Sequence, residues 1–515
     1  MGSVRVFDWL EHHANFRGTE KAVCDLESGR SYNWIEFNDR CSRLAGYLKH
    51  ELSIKKGDRV GVLMANSTDF LEIQFACNKV GAVFLPLNWR LTVPELVFIA
   101  GDAAPEILIC GSEFKEVADA VAAEVICVRH VIEADGAGGK TAYEDGISHN
   151  TPLASISDLT HDDLAAIMYT SGTTGLPKGA MITHGMTFWN AINLGMPHRI
   201  SPDTVHLSVL PLFHTGGLNC YTNPVIHAGG TVYIMRNFDP VECLRIIGDP
   251  EYGLTHFFGV PANYQFMAQQ PEFQKTDFSR IKTAGIGGAP VPVPLLETYH
   301  ARGLSIAQGF GMTETSPTVL GLDTSEAMAK PGSTGKPVLH NEVRIVNENG
   351  EDVVPGEMGE LWVRGPNITP GYWNRPDATA ETITDGWLHT GDACRMDEDG
   401  FYYILDRTKD MYISGGENVY PAEVENILYQ LDEVVEAAVI GLPDDKWGET
   451  GCAVLVLKAG ATTTENEVLT HCRSQLASFK IPKNVTFVKA LPRNATGKIL
   501  KRTLREQFEK GSKIQ

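Results

Sequence analysis

RVGVLMANSTDFLEIQFACNKVGAVFLPL, residues 59–87, decides the fold class. Arg59–Met64 is a short, almost unbroken apolar run, the pattern of a strand covered on both faces. Asp69–Lys79 then sets Phe70, Ile73, Ala76 and Cys77 at helical spacing on one face. Ala82–Leu87 is apolar again. Strand, helix and strand in that order make a βαβ unit. The same alternation recurs near 107–133, 164–184, 205–236 and 253–286, which predicts an α/β protein with mainly parallel, covered sheets.

Downstream of about residue 335 the texture changes. Alternating runs such as Glu342–Val346 and Gly359–Val363 are separated by Asn349-Gly350 and Pro355-Gly356, so a small antiparallel β unit is expected. Residues 406–420 are polar and glycine-rich. A compact α+β pattern follows, with a helix from Glu423, strands near 436–441 and 452–458, and a helix near 463–477. The predicted division is a large domain over 1–406, a hinge at 407–410 and a small domain over 411–515.

Composition limits the function. The 515 residues hold 44 Lys and Arg against 64 Asp and Glu, a net charge of -20. Such a surface repels nucleic acid and anionic lipid. The end of the chain differs: residues 471–515 carry eleven basic residues and two acidic ones. The ten cysteines show no Cys-x-x-Cys pair and no zinc spacing, and they read as reduced core fillers. No run of 18 apolar residues occurs, and neither a signal peptide nor a lipidation pattern is legible, so the expected location is the cytoplasm.

The sharpest feature is YTSGTTGLPKG, residues 169–179. Thr170, Ser171, Gly172, Thr173 and Thr174 can turn backbone N–H groups and hydroxyls inward as an anion nest, and Lys178 adds charge. The loop lacks the Gly-Lys-Ser/Thr ending of a Walker A motif. It resembles the signature of the adenylate-forming superfamily, which includes acyl-CoA synthetases, peptide-synthetase adenylation domains and luciferases. GFGMTE (309–314), TGD (390–392), DRTKD (406–410), SGGEN (414–418) and PRNATGK (492–498) follow in the family's order. The resemblance covers nearly the whole chain and is similar in detail to bacterial acyl- and feruloyl-CoA synthetases.

The resemblance implies an ATP-dependent reaction in two halves. A carboxylate attacks the α-phosphorus of ATP and expels pyrophosphate; a thiol of coenzyme A then attacks the acyl-adenylate and expels AMP. Its fold is two α/β subdomains and a small β subdomain, followed by a small mobile α+β C-terminal domain. Glu314 is the implied Mg2+ ligand and Thr313 the α-phosphate contact. Gly309, Phe310, Gly311 and Met312 form one wall of the adenine slot, with Gly287, Gly288, Ala289 and Pro290 as the other. Asp392 is implied to hold the ribose, Arg407 to reach the ribose or phosphate, and Lys498 to bridge the carboxylate and the α-phosphate. Lys409 lies at the implied hinge. Ser414, Gly415, Gly416 and Glu417 are implied to line the coenzyme A channel after rotation.

His214 in PLFHTGG resembles the gate beside the acyl site. The expected acyl pocket draws on His214, Gly217, Leu218, Phe258, Val260, Gly285, Gly311 and Met312. Apolar walls favour a hydrophobic acid over an amino acid, and the resemblance of 211–267 to bacterial feruloyl-CoA synthetases implies an aryl or hydroxycinnamic acid such as ferulate. Short- and medium-chain acids, thioether acids included, stay open as the alternative. A carrier-protein adenylation enzyme and a luciferase-like oxidase stand lower. The implied partners are the acid, ATP and coenzyme A, with a homodimer open as an assembly.

Overall fold

In the computed structural model, the described residues are 4–156, 158–170, 176–407, 410–415, 417–444, 446–493 and 498–509. Their strands form four sheets. A six-stranded sheet runs in the order His130–Ala134, Ile107–Gly111, Arg59–Leu63, Val83–Pro86, Leu164–Thr170, Lys178–Thr183. A nine-stranded sheet carries Ile306–Gly311, Thr283–Ile286, His256–Gly259, Val205–Ser208 and Thr231–Ile234 as parallel neighbours. A third, antiparallel sheet holds Glu342–Val346, Met358–Arg364 and Trp387–Met396. The last sheet pairs Val434–Asp444 with Gly448–Leu457 and is covered by the helices Pro421–Leu428 and Glu465–Gln475. This is the α/β class that residues 59–87 predict, with a small β unit and a small α+β unit after it.

The founding unit forms because sequence and burial agree. Arg59–Leu63 and Val83–Pro86 pair in parallel, and the helix Thr68–Val80 crosses between them. Ser67 caps that helix by accepting from the Phe70 N–H, and Gly81 ends it with φ 79°. Phe70, Ile73, Ala76 and Cys77 are fully buried. The helix is buried nearly all round, and its Glu72 and Asp69 meet Arg40 and Arg30, with Arg40 Nε 2.8 Å from Glu72 Oε1. Buried carboxylates persist because the two guanidiniums pair them.

Residues 164–184 depart from the expected βαβ pattern. Leu164–Thr170 and Lys178–Thr183 are antiparallel neighbours. The link between them is too short for a parallel crossover, which needs a dozen or so residues. A hairpin therefore carries the loop of the glycine-rich motif at its tip. All ten cysteines are free thiols, and most are buried. Among the described residues no helix is long and apolar enough to cross a membrane.

Both large sheets deliver the C-terminal ends of their parallel strands to one place. Asn66, Pro86–Asn88, Val209–Pro211, Val260, Gly287, Gly288 and Met312–Glu314 each follow such a strand, and all line a single cleft. Open α/β sheets bind ligands at that edge, where backbone N–H groups and short loops are gathered.

Candidate active site

The cleft encloses about 1540 Å³. Thr170 and Lys178, the described ends of the glycine-rich loop, lie on its wall; Ser171, Gly172, Thr173 and Thr174 fall outside the described residues. Lys178 Nζ stands 5.4 Å from the centre of the Tyr372 ring. The Tyr372 hydroxyl donates to Glu314 Oε1 at 2.7 Å. The loop's lysine and the buried carboxylate are thus held on the two sides of one phenol. The strand-free segment around Tyr372 is fixed on both sides. The Thr369 N–H donates to the Glu314 carbonyl at 2.7 Å, and its hydroxyl donates to the Met181 carbonyl at 2.7 Å. Asn367 Nδ2 donates to the carbonyls of Thr315 and Thr318.

Thr313 and Glu314 begin a short 3-10 turn after the strand Ile306–Gly311, and both are buried. Gly309, Phe310, Gly311 and Met312 line the cleft beside them, as do Gly287 and Gly288 from the neighbouring strand end. Ala289 and Pro290 are not among the lining residues. A Cβ on Gly311 would sit 1.6 Å from the Pro317 carbonyl oxygen, so the two backbone segments touch only because residue 311 has no side chain. Gly311→Ala is expected to displace that backbone. The outcome should be stability lower by about 2 kcal/mol and ATP-dependent pyrophosphate exchange lower by roughly 100-fold. A variant with wild-type ATP dependence would show that the slot does not need this contact.

Asp392 lies on the strand Trp387–Met396, is 4% exposed, and stands directly across from Arg407 in the ladder. Its neighbours His389, Thr390 and Gly391 line the cleft. The register places both residues at adjoining positions. Lys409 lies outside the described residues, and Asp410 beside it lines the cleft.

The C-terminal unit closes the opposite side. Lys498 lines the same cleft as Gly311, Thr313 and Glu314, together with Arg493 and Lys501. Arg493 is paired with Glu436 at 2.5 Å and Lys501 with Glu425 at 2.9 Å. Leu504, fully buried, ties the helix Lys501–Glu509 to the sheet behind it. Across the gap, the Gln265 side-chain amide donates to the Val435 carbonyl. Ser414, Gly415 and Glu417 are on the hairpin Tyr412–Ser414 and Glu417–Val419, and none of them lines the cleft in this arrangement; Gly416 is outside the described residues.

His214, Gly217, Phe258, Val260 and Met312 line the cleft's far arm. His214 Nδ1 accepts from the Gly216 N–H at 3.2 Å, and burial pushes the ring's pKa down to about 4, so the imidazole is neutral near pH 7. Two expected pocket residues do not reach the cavity. Leu218 is packed into the large hydrophobic core instead. Gly285 lies beneath Tyr221 and Phe258: a Cβ there would come within 2.6 Å of the Tyr221 hydroxyl and 2.7 Å of the Phe258 ring. The glycine makes room for those two rings, and they form the wall. Tyr221, His198 and Tyr372 were not singled out from sequence, because each belongs to no motif.

The model of the AMP-binding enzyme family matches residues 10–373, and that of the AMP-binding enzyme C-terminal domain matches 423–498. The chain belongs to the AMP-binding enzyme family. This AMP-binding enzyme is 43% identical over 492 residues to a feruloyl-CoA synthase of an Amycolatopsis species, covering 96% of this chain and 97% of that one. It is 37% identical over 506 residues to an indoleacetate–CoA ligase of Aromatoleum aromaticum, with 97% of each chain covered. Among solved structures it is similar to ATP-bound MatB from Rhodopseudomonas palustris, with a TM-score of 0.90, 34% identity and coverage of 98% and 99%. The enzyme is an AMP-forming acid–thiol ligase that joins a carboxylic acid to coenzyme A at the expense of ATP.

Proposed function

We propose that the acid is an aryl or hydroxycinnamic acid of the ferulate kind. The observation that carries this is the far arm of the cleft. The side chains that line it, Leu194, His198, Cys220, Tyr221, Phe258 and Ala307, are uncharged and largely aromatic or aliphatic. A flat ring gains dispersion and area burial there. The ammonium of an amino acid would find no carboxylate among them. Both relatives named above act, by their names, on acids that bear a ring.

At the near end, the acid's carboxylate would meet ATP between Lys498 and Thr313. Attack on the α-phosphorus forms the acyl–phosphate bond and breaks the bond to the β-phosphate, so pyrophosphate leaves. Lys498 would lower the repulsion between the two anions, and Asp392 with Arg407 would hold the ribose. Glu314 suits Mg2+: among the described residues no group of three His, Cys, Asp or Glu side chains is placed to cage a metal, and Glu314 is a buried carboxylate on the cleft wall that accepts from Tyr372. Mg2+ is commonly held by one carboxylate, water and phosphate. When bound it would supply charge for the departing pyrophosphate; Tyr372 would fix the carboxylate that receives it.

The second half needs Lys498 out and a thiol in. We assign this to rotation of residues 411–515 against 1–406 about 407–410, with Lys409 at the hinge and the Ser414–Glu417 turn brought to the cleft. The neutral His214 would line the thiol's approach.

The test is a panel of acids scored by ATP–pyrophosphate exchange and by coenzyme A-dependent AMP release. Ferulate and 4-coumarate should exceed hexanoate, octanoate and thioether acids in kcat/KM by at least about tenfold. A best substrate that is aliphatic would overturn the aryl reading and leave the ligase reaction in place.

A further inference from the structure

We infer that the buried Tyr221–His198 pair is the end-stop that reads a hydroxyl or alkoxyl group on the acid's ring; this rests on the aryl-acid reading. Tyr221 is 1% exposed and His198 3% exposed, yet both line the cleft. The Tyr221 oxygen and His198 Nδ1 are 2.9 Å apart. The Tyr221 ring is wedged among His206, His256 and Phe258, at centroid distances of 5.4, 6.1 and 5.3 Å. The absent side chain of Gly285 leaves the space that its hydroxyl occupies. The His198 carbonyl is held by His256 Nε2 at 2.9 Å and by the Thr283 hydroxyl at 3.1 Å. Both members of the pair are therefore fixed, one by packing and the other through its backbone.

The turn Leu218–Thr222 carries Tyr221 one helical turn beyond Gly217, on the segment that follows His214. Leu194, Cys220, Phe258 and Ala307 also line the cleft, and this pair sets a phenol and an imidazole among those apolar groups. Burial keeps the phenol protonated and the imidazole neutral. In one tautomer the phenol donates to Nδ1 and keeps a lone pair for a substrate O–H. In the other, Nδ1–H donates to the phenol oxygen, whose proton then turns to a substrate oxygen. A 4-hydroxyl can complete either arrangement, and an adjacent methoxyl, which only accepts, can complete the second. An unsubstituted ring leaves it incomplete, and a site built around a hydrogen bond discriminates against the analogue that lacks it.

The experiment measures kcat/KM for ATP–pyrophosphate exchange with 4-hydroxycinnamate and with cinnamate, in the wild type, Tyr221→Phe and His198→Phe. The wild type should prefer the hydroxylated acid by about tenfold, and both variants should bring that ratio close to one. An unchanged far-ultraviolet circular dichroism spectrum in both variants reports an intact fold. A ratio unchanged by both substitutions, or no preference in the wild type, overturns the end-stop while leaving the aryl reading standing. A wild type that activates neither acid overturns both.

Discussion

Lys498→Ala should lower acyl-adenylate formation by about 10³-fold while leaving thioester formation from supplied acyl-adenylate within about threefold of wild type. The asymmetry comes from charge. The first half-reaction drives a carboxylate against the phosphates of ATP, and a cation aimed at the developing charge acts mainly in the transition state. The second half-reaction has a neutral acyl carbon as its target and AMP as its leaving group, so the same cation has far less to stabilise. The structure supplies the position. Lys498 lies on the cleft wall with Gly311, Thr313 and Glu314, although it comes from the other unit of the chain. Its neighbourhood is fastened by Arg493 to Glu436, Lys501 to Glu425, and buried Leu504. Removing the side chain therefore removes a charge and leaves these three attachments in place. The measurement is pyrophosphate exchange in one assay and coenzyme A-dependent AMP release from synthetic adenylate in the other. Equal losses in the two would show that the residue serves the domain's packing and carries no charge role.

Much of this site is legible in the sequence because its motifs are contiguous. GFGMTE places Gly309, Phe310, Gly311, Thr313 and Glu314 on one strand end and the turn after it, and the structure keeps them together. Local pattern also gave the founding βαβ unit, whose strand and helix limits agree with 59–87 to within a residue or two. Legibility fails where a contact joins distant chain. Tyr372 meets Glu314 across 58 residues, and Tyr221 meets His198 across 23. A lone aromatic residue in a turn or a core helix carries no spacing that marks it. Residues 164–184 fail for another reason. Two apolar runs look alike whether their strands pair in parallel or antiparallel, and only the length of the link decides. Gly285 shows a subtler limit: sequence marks a glycine near the pocket, but only packing reveals that Tyr221 and Phe258 cover it.

Buried histidines, His198 of the cleft wall among them, set the protein's response to acid. His184, His198 and His206 are nearly inaccessible, and burial pushes them down to about 4, 4 and 3. His256 is also lowered by burial, and His214 and His227 are pushed down to about 4. In the unfolded chain each takes a proton near pH 6.5. Below that pH the unfolded state binds more protons than the native state, so stability is full above about 6.5 and falls as the pH drops toward 4. By pH 4 the cost is roughly 3 kcal/mol for each of the three most buried rings. That sum is comparable with the whole stability of an ordinary domain. Asp69 works the other way. Burial and the adjacent Glu72 raise it against the pull of Arg30, so its native form takes up a proton before the unfolded chain does and gains stability as the pH falls toward 3.8. One carboxylate opposes at least four histidines, and the histidines prevail. The guanidinium midpoint, followed by tryptophan fluorescence, should fall steeply between pH 6.5 and 4.5, and His206→Gln should make the fall shallower by about 1.4 kcal/mol per pH unit. A midpoint that stays level from pH 7 to 5 would mean that these rings take up protons in the folded enzyme over the same pH range as in the unfolded chain, and a neutral His198 beside Tyr221 would no longer stand.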